Sequence, residues 1–335
     1  MRRLRLADVV RVRFAAGRSV LLFLTDRCPV GCAHCSVDSR PTSPSISDFG
    51  LFDELLTAIC EDQRLRMVGI SGGEPFVERR GLLRATERLA AAGKDIVLYT
   101  SGVWAAAERV PSWIPTAIGR AGCVFLSTDA FHAEAVDERR YVHAARTIAD
   151  CGVPIVVQVL DLPEMVHEAE RLLEAAFGTA WPEYADVSLI EPLPYGRGAG
   201  LFERPPATPG GLLPACSLLA APVVRYDGRV TACCNEQVIM GMGPDRLRMH
   251  CTSRQQLAET LEELRRDAVL RIIGQAGAGV LTAHPRYADM QDEPYRGICD
   301  FCWRAQERAG DLAARGDALL EAMALLKREA VGAVD

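Results

Sequence analysis

Short apolar runs rich in β-branched residues alternate with longer stretches whose apolar positions recur every three or four residues. The first kind predicts strands over 19–24 (SVLLFL), 67–70, 95–100, 123–127, 154–160 and 186–190. The second predicts helices near 47–61, 80–93, 104–120, 136–151 and 163–176. Such βα alternation implies a parallel sheet, open or curved into a barrel, with functional groups at the carboxyl ends of its strands. The rhythm stops after residue 191, where a Pro- and Gly-rich stretch (EPLPYGRGAGLFERPPATPGGLLPA) reads as a linker or long surface loop. Beyond it, PVVRYDGRVTACC predicts a hairpin turned by Asp227 and Gly228, and residues 303–331 predict a final Ala/Leu-rich helix. The expected organisation is a first unit over 1–195, a linker over 196–215 and a smaller unit over 216–335.

Composition narrows the class. In 335 residues, 49% are hydrophobic and 24% charged, which fits a folded globular chain and excludes disordered, collagen-like and coiled-coil classes. A formal net charge of −6 gives no reason to expect a nucleic-acid partner. Arg11, Arg13 and Arg18 break up the N-terminal stretch, so neither a signal peptide nor a membrane helix is expected, and a cytoplasmic location follows. In that reducing setting the twelve cysteines are expected to be thiols, metal ligands or catalytic groups instead of disulfides.

Their spacing is informative. TDRCPVGCAHCS, directly after the first strand, places Cys28, Cys32 and Cys35 as CxxxCxxC on one short loop. A structural zinc site closes with four protein ligands, whereas three thiolates suit a 4Fe-4S cluster with one iron left open. With this motif the chain resembles the radical S-adenosylmethionine (SAM) superfamily, whose fold is a partial (βα)6 barrel with that loop after its first strand. The resemblance implies that Gly72, Gly73 and Glu74, in SGGEPF after the second strand, hold the SAM amino group. It places His34 where an aromatic residue packs near the adenine. It also assigns SAM or substrate contacts to the later strand ends: Thr100 and Ser101, Ser127 and Asp129, Gln158, and Glu191. Helix capping is the alternative for these Ser, Thr and Asp residues. Arg197, in PYGRG, is read as a turn arginine able to meet a carboxylate, or simply as a solvated one.

Cys216, Cys233 and the distant CxxC of Cys299 and Cys302 form a second set. It is similar to the twitch and SPASM auxiliary domains of radical SAM enzymes, and the lack of later cysteines fits the shorter twitch type with one auxiliary 4Fe-4S cluster. Four thiolates also suit zinc. Cys234 is an alternative ligand to Cys233 or a free thiol; Cys60, Cys123 and Cys151 read as buried small hydrophobes, and Cys251 is unassigned.

The resemblance implies reductive cleavage of SAM and hydrogen abstraction from a peptide or small polar natural product. Oxidation or cross-linking is the leading outcome, and redox-neutral epimerisation with Cys234 or Cys251 as hydrogen donor is the alternative. A non-catalytic metal-binding protein is the reading from another class. Expected partners are SAM, the substrate and an electron donor such as flavodoxin or ferredoxin. No separate N-terminal segment of a leader-binding kind stands out.

Overall fold

The computed structural model describes residues 2–310 and 317–325. Six parallel strands lie side by side in chain order: β1 (Ser19–Phe23), β2 (Met67–Ser71), β3 (Asp95–Thr100), β4 (Cys123–Ser127), β5 (Ile155–Leu160) and β6 (Ala185–Ile190). The connections carry α2 (Phe49–Glu61), α3 (Arg79–Ala91), α4 (Trp113–Gly119), α5 (Ala130–Ala133) with α6 (Glu138–Asp150), and α7 (Pro163–Phe177) with α8 (Trp181–Tyr184). Alternate strand residues such as Val68, Leu98, Val124 and Val157 pack against these helices in one core. Neighbouring strands in chain order, with the connecting helices on a single face, are the arrangement of a barrel and not of a doubly wound sheet.

The other strand residues point to the opposite face, as the two-residue period of a strand requires. Met67, Val97, Cys123, Phe125 and Val156 gather there, covered by Leu4 and by Val9 of α1 (Leu6–Phe14), a helix the sequence reading did not anticipate. Asp186 of β6 anchors that helix, accepting from Arg5 at 2.7 Å and from the Leu6 amide at 2.9 Å.

The remainder of the chain begins with the two-residue strand β7 (Thr208–Pro209), followed by β8 (Val223–Arg225), β9 (Arg229–Thr231) and β10 (Arg248–His250). The β8–β9 hairpin turns at Gly228, where φ is +86° and an added Cβ would lie 2.3 Å from the Cys251 carbonyl oxygen; only glycine fits. β8 runs parallel to β1, Leu21 opposite Val223 and Phe23 opposite Arg225. The hairpin thus extends the barrel sheet to the order β10-β9-β8-β1-β2-β3-β4-β5-β6. Short α9 (Glu236–Ile239) follows the hairpin, and α10 (Arg254–Arg266) packs on α2. α11 (Ala268–Gln275), α12 (Ala278–Leu281), β11 (Pro294–Tyr295, paired with β7), α13 (Ile298–Gly310) and α14 (Ala318–Leu325) complete the described chain. They enclose a second core around Ile273, Leu281, Tyr287, Met290 and Phe301.

Two expectations need correction. The helix expected over 104–120 is a 3-10 turn at Val103–Ala106 and then α4, because Pro111 constrains the residue before it and cannot donate to a continuous helix. The final helix starts at Ile298, five residues before the expected 303, while 311–316 and 326–331 lie outside the described residues.

Candidate active site

The loop after β1 is braced from both sides. The Gly73 amide donates to the Thr25 carbonyl at 2.7 Å, the Glu74 amide to that of Arg27 at 2.9 Å, and the Cys28 amide to that of Arg40 at 3.0 Å. The fit leaves no room for side chains on the turn after β2: a Cβ on Gly73 would lie 2.4 Å from the Arg27 carbonyl oxygen. From the other side comes Arg197. Its guanidinium donates to the Cys32 carbonyl at 2.7 and 2.9 Å and to Asp38 at 2.7 Å, and its amide to the Cys35 carbonyl at 3.0 Å. Read from sequence as a turn arginine, Arg197 is the clamp of the cysteine loop.

Cys28, Cys32 and Cys35 are free thiols, each partly exposed. Burial, and then the Glu74 carboxylate, push the Cys28 thiol up to about 12. Alone it stays protonated; a bound cation would reverse that balance and stabilise the thiolate. Three thiols on one clamped loop, none of them in a disulfide, fit a cluster that takes three protein ligands.

Glu74 is 1% exposed and faces protein donors. It accepts from Thr100 Oγ1 at 2.9 Å, from the Ser101 amide at 2.9 Å and hydroxyl at 2.7 Å, and from the Phe76 amide at 3.2 Å. Burial raises its pKa, opposed by those donors. Thr100 also accepts from Trp104 Nε1 at 3.0 Å. Three residues assigned to SAM or substrate contacts from sequence therefore form one network that stiffens the turn, with Gly72 and Gly73 partly exposed beside it.

At the end of β4, Asp129 takes the capping role weighed for it and also faces two histidines. One carboxylate oxygen caps α5, accepting from the Phe131 and His132 amides at 2.9 and 3.0 Å. The other meets His132 Nδ1 at 2.8 Å and His34 Nε2 at 3.4 Å. The His34 ring lies 4.8 Å from that of Phe131. His132 was not singled out from sequence. Burial works against its protonation but is outweighed by Asp129 and by a hydrogen bond with Cys32, so its pKa rises to about 10. Ser127 and Gln158 are register partners on β4 and β5, both partly exposed on the face that α1 covers lower down. Glu191 is exposed just beyond β6.

In the second set, Cys216, Cys233 and Cys302 are buried and Cys299 half-buried. Cys299 and Cys302 sit in the first turns of α13, three residues apart and so on one face. Burial raises all four, and so does electrostatic interaction with neighbouring thiols for every one but Cys216, Cys299 to about 12. Asn235 Nδ2 lies 3.4 Å from Cys299 Sγ. The hairpin is tied to the first loop: Arg225, 1% exposed, grips both oxygens of Asp26 at 2.7 and 2.8 Å, and Tyr226 donates to Asp26 at 2.8 Å.

The two cysteines considered as hydrogen donors part company. Cys251 is sealed in the helix-side core with its thiol 3.4 Å from Thr260 Oγ1. Cys234 packs with Leu21, Phe23 and Val223 on the opposite side, partly exposed yet surrounded by protein, and accepts from Arg13 of α1 at 3.5 Å.

No protein-family model matches the chain. Among curated proteins it is 21% identical over 300 residues to the putative peptide biosynthesis protein YydG of Bacillus subtilis (strain 168), covering 85% of this chain and 91% of that one. Among solved structures it is similar to native anSMEcpe with bound AdoMet and Cp18Cys peptide, with a TM-score of 0.50 at 14% identity over 73% of this chain and 80% of that one. The fold is that of the radical SAM superfamily. Streptococcus suis SuiB bound to precursor peptide SuiA aligns with a TM-score of 0.48 at 10% identity, over 78% of this chain and 67% of SuiB. The fold accounts for the position of the CxxxCxxC loop, at the carboxyl end of the first strand and against the turn after the second.

Proposed function

We propose that this chain is a radical SAM enzyme that modifies a peptide, with Cys28, Cys32 and Cys35 holding a 4Fe-4S cluster that binds SAM. The observation that carries the reading is the cysteine loop itself, braced on the Gly72–Glu74 turn and clamped by Arg197 while its three thiols stay free of disulfides. The peptide assignment is supported by the descriptions of YydG and of the peptide-bound anSMEcpe. When bound, the cluster and SAM supply a 5′-deoxyadenosyl radical able to take hydrogen from an unactivated C–H bond. His34 and Phe131 offer a ring surface for the adenine, the Gly72–Gly73 backbone a seat for the amino group, and Ser127 and Gln158 polar contacts on the substrate side. Residues 1–195 form the SAM-binding unit. After the linker of 196–215, residues 216–335 carry a twitch-like unit in which Cys216, Cys233, Cys299 and Cys302 hold an auxiliary 4Fe-4S cluster. The enzyme works in the cytoplasm with flavodoxin or ferredoxin as electron donor.

Cys234 favours epimerisation as the outcome, because it stands on the inner side of β1 and β8 whereas Cys251 does not. After one hydrogen leaves the substrate carbon, the Cys234 S–H bond breaks and a new C–H bond forms on the opposite face. One electron from the external reductant and one solvent proton then restore the thiol. Oxidation or cross-linking is the second reading, favoured by the four-cysteine set: the substrate radical would lose an electron to an acceptor and a proton to solvent. Turnover in deuterated water separates them. Epimerisation places one solvent deuterium in a product that is otherwise unchanged in mass, whereas oxidation gives a product two hydrogens lighter. Absence of 5′-deoxyadenosine after anaerobic incubation with SAM and dithionite would instead favour the non-catalytic metal-binding alternative.

A further inference from the structure

We propose that the arginine-rich surface beside the cysteine loop is the docking site of an acidic one-electron carrier protein. The inference rests on the reading that Cys28, Cys32 and Cys35 hold a cluster, which must receive electrons from outside the chain. Arg27 immediately precedes Cys28, and its carbonyl accepts the Glu74 amide, so the loop and the turn leading into α3 share one surface. Four residues after that turn begins α3, with Arg79 and Arg80 at its start. Arg27, Arg79 and Arg80 are all exposed. Arg27 donates to the Ser43 carbonyl, Arg80 lies 3.8 Å over the Phe49 ring and Arg79 5.9 Å from that of Trp113. Among the described residues, none of the three forms an ion pair, whereas Arg84 and Arg88 farther along α3 are both engaged by Asp53.

From Arg79 and Arg80 a shallow groove of about 670 Å³ continues along the outer side of α3, lined by Leu83, Arg84 and Arg88 as well, with Glu87 as its acidic member. Val77, 37% exposed, adds an apolar contact beside it. In a chain of formal charge −6, the positive charge of Arg27, Arg79 and Arg80, without an ion pair among the described residues, runs against the overall balance. An acidic carrier of the flavodoxin kind complements that charge. Opposite charges steer such an encounter and set its orientation without requiring a large buried interface.

The test uses the full chain, an R79E/R80E variant, and purified flavodoxin with its reductase as the carrier. Arg79 and Arg80 touch no proposed cluster or SAM residue, so dithionite-driven 5′-deoxyadenosine formation should stay within about twofold of wild type. Flavodoxin-driven formation should fall about tenfold or more in the variant, and in wild type it should fall as salt is raised. A variant that accepts electrons from flavodoxin as fast as wild type overturns the proposal. So does a wild type that works with dithionite but not with flavodoxin. Binding of oxidised flavodoxin, followed by fluorescence anisotropy, needs no turnover, so it decides the surface even if dithionite itself elicits no SAM cleavage: the variant should bind about tenfold more weakly, and equal binding refutes the surface.

Discussion

The two cysteine sets are built by opposite means. The first lies within eight residues of one loop, partly exposed, and is held by backbone hydrogen bonds to the turn after β2 and by Arg197. The second draws on three separated stretches of the chain, Cys216, Cys233 and the Cys299–Cys302 pair, and is mostly buried, Cys216 and Cys302 in the core that α11, α12 and α13 enclose and Cys233 in a neighbouring one. A loop that presents three partly exposed thiols at the carboxyl end of the strands leaves room for an exchangeable ligand. Four enclosed thiols leave little, which suits a group that exchanges electrons but not ligands. Sequence-local construction also makes the first set separable: its ligands can be lost without removing core volume, whereas Cys216, Cys233 and Cys302 are themselves packed.

The strongest test of that contrast is the C28A/C32A/C35A triple variant. It should fold, lose 5′-deoxyadenosine formation to background, and after anaerobic reconstitution retain about four of about eight irons. Zinc or no metal in the triple variant would remove the auxiliary cluster from the account. Next in size is C234A, which should stop product formation while SAM cleavage continues. C251A should turn over normally and lose only about 1 kcal/mol of stability, as a small buried group does; equal loss of product in both would refute the separation of the two thiols.

The clamp should show a smaller effect. R197M keeps all seven proposed ligands but removes the donors to the Cys32 carbonyl, and the first set should retain iron about tenfold less well under chelator while the second is unaffected. The smallest effect is on pH. Arg197 holds the Asp38 carboxyl below its usual value. A depressed carboxyl contributes stability above its unfolded pKa of about 4, and that contribution is lost as pH falls through the lower folded value. Because Asp38 is largely solvated, the difference between wild type and R197M in acid unfolding should stay under about 1 kcal/mol.

Much of this was legible in sequence because it is local. The strands carry their apolar runs, the βα rhythm carries the chain order, and CxxxCxxC and GGE each occupy one turn. What sequence concealed is non-local. Arg197 lies 165 residues from the carbonyl it grips, and Arg225 199 residues from Asp26; neither has a neighbour in sequence to mark it. His132 looked like one more polar residue after a strand until α5 turned it back on Asp129. Glu74 was placed correctly on its turn, but its burial depends on Thr100 and Ser101, one strand away. The partition between Cys234 and Cys251 needed the parallel pairing of β8 with β1, which no periodicity announces.

That pairing has a consequence for how the protein is made. β1 must zip to a strand 48 residues later and also to one about 200 residues later, and the Asp26–Arg225 tie cannot close until the second has left the ribosome. Contacts of such long sequence separation are slow to form. During synthesis the nascent N-terminal half therefore carries an exposed β1 edge and an unclamped, thiol-rich loop. Both are oxidation- and aggregation-prone until the C-terminal half arrives, so loading of the proposed cluster would belong after translation, to the nearly complete chain.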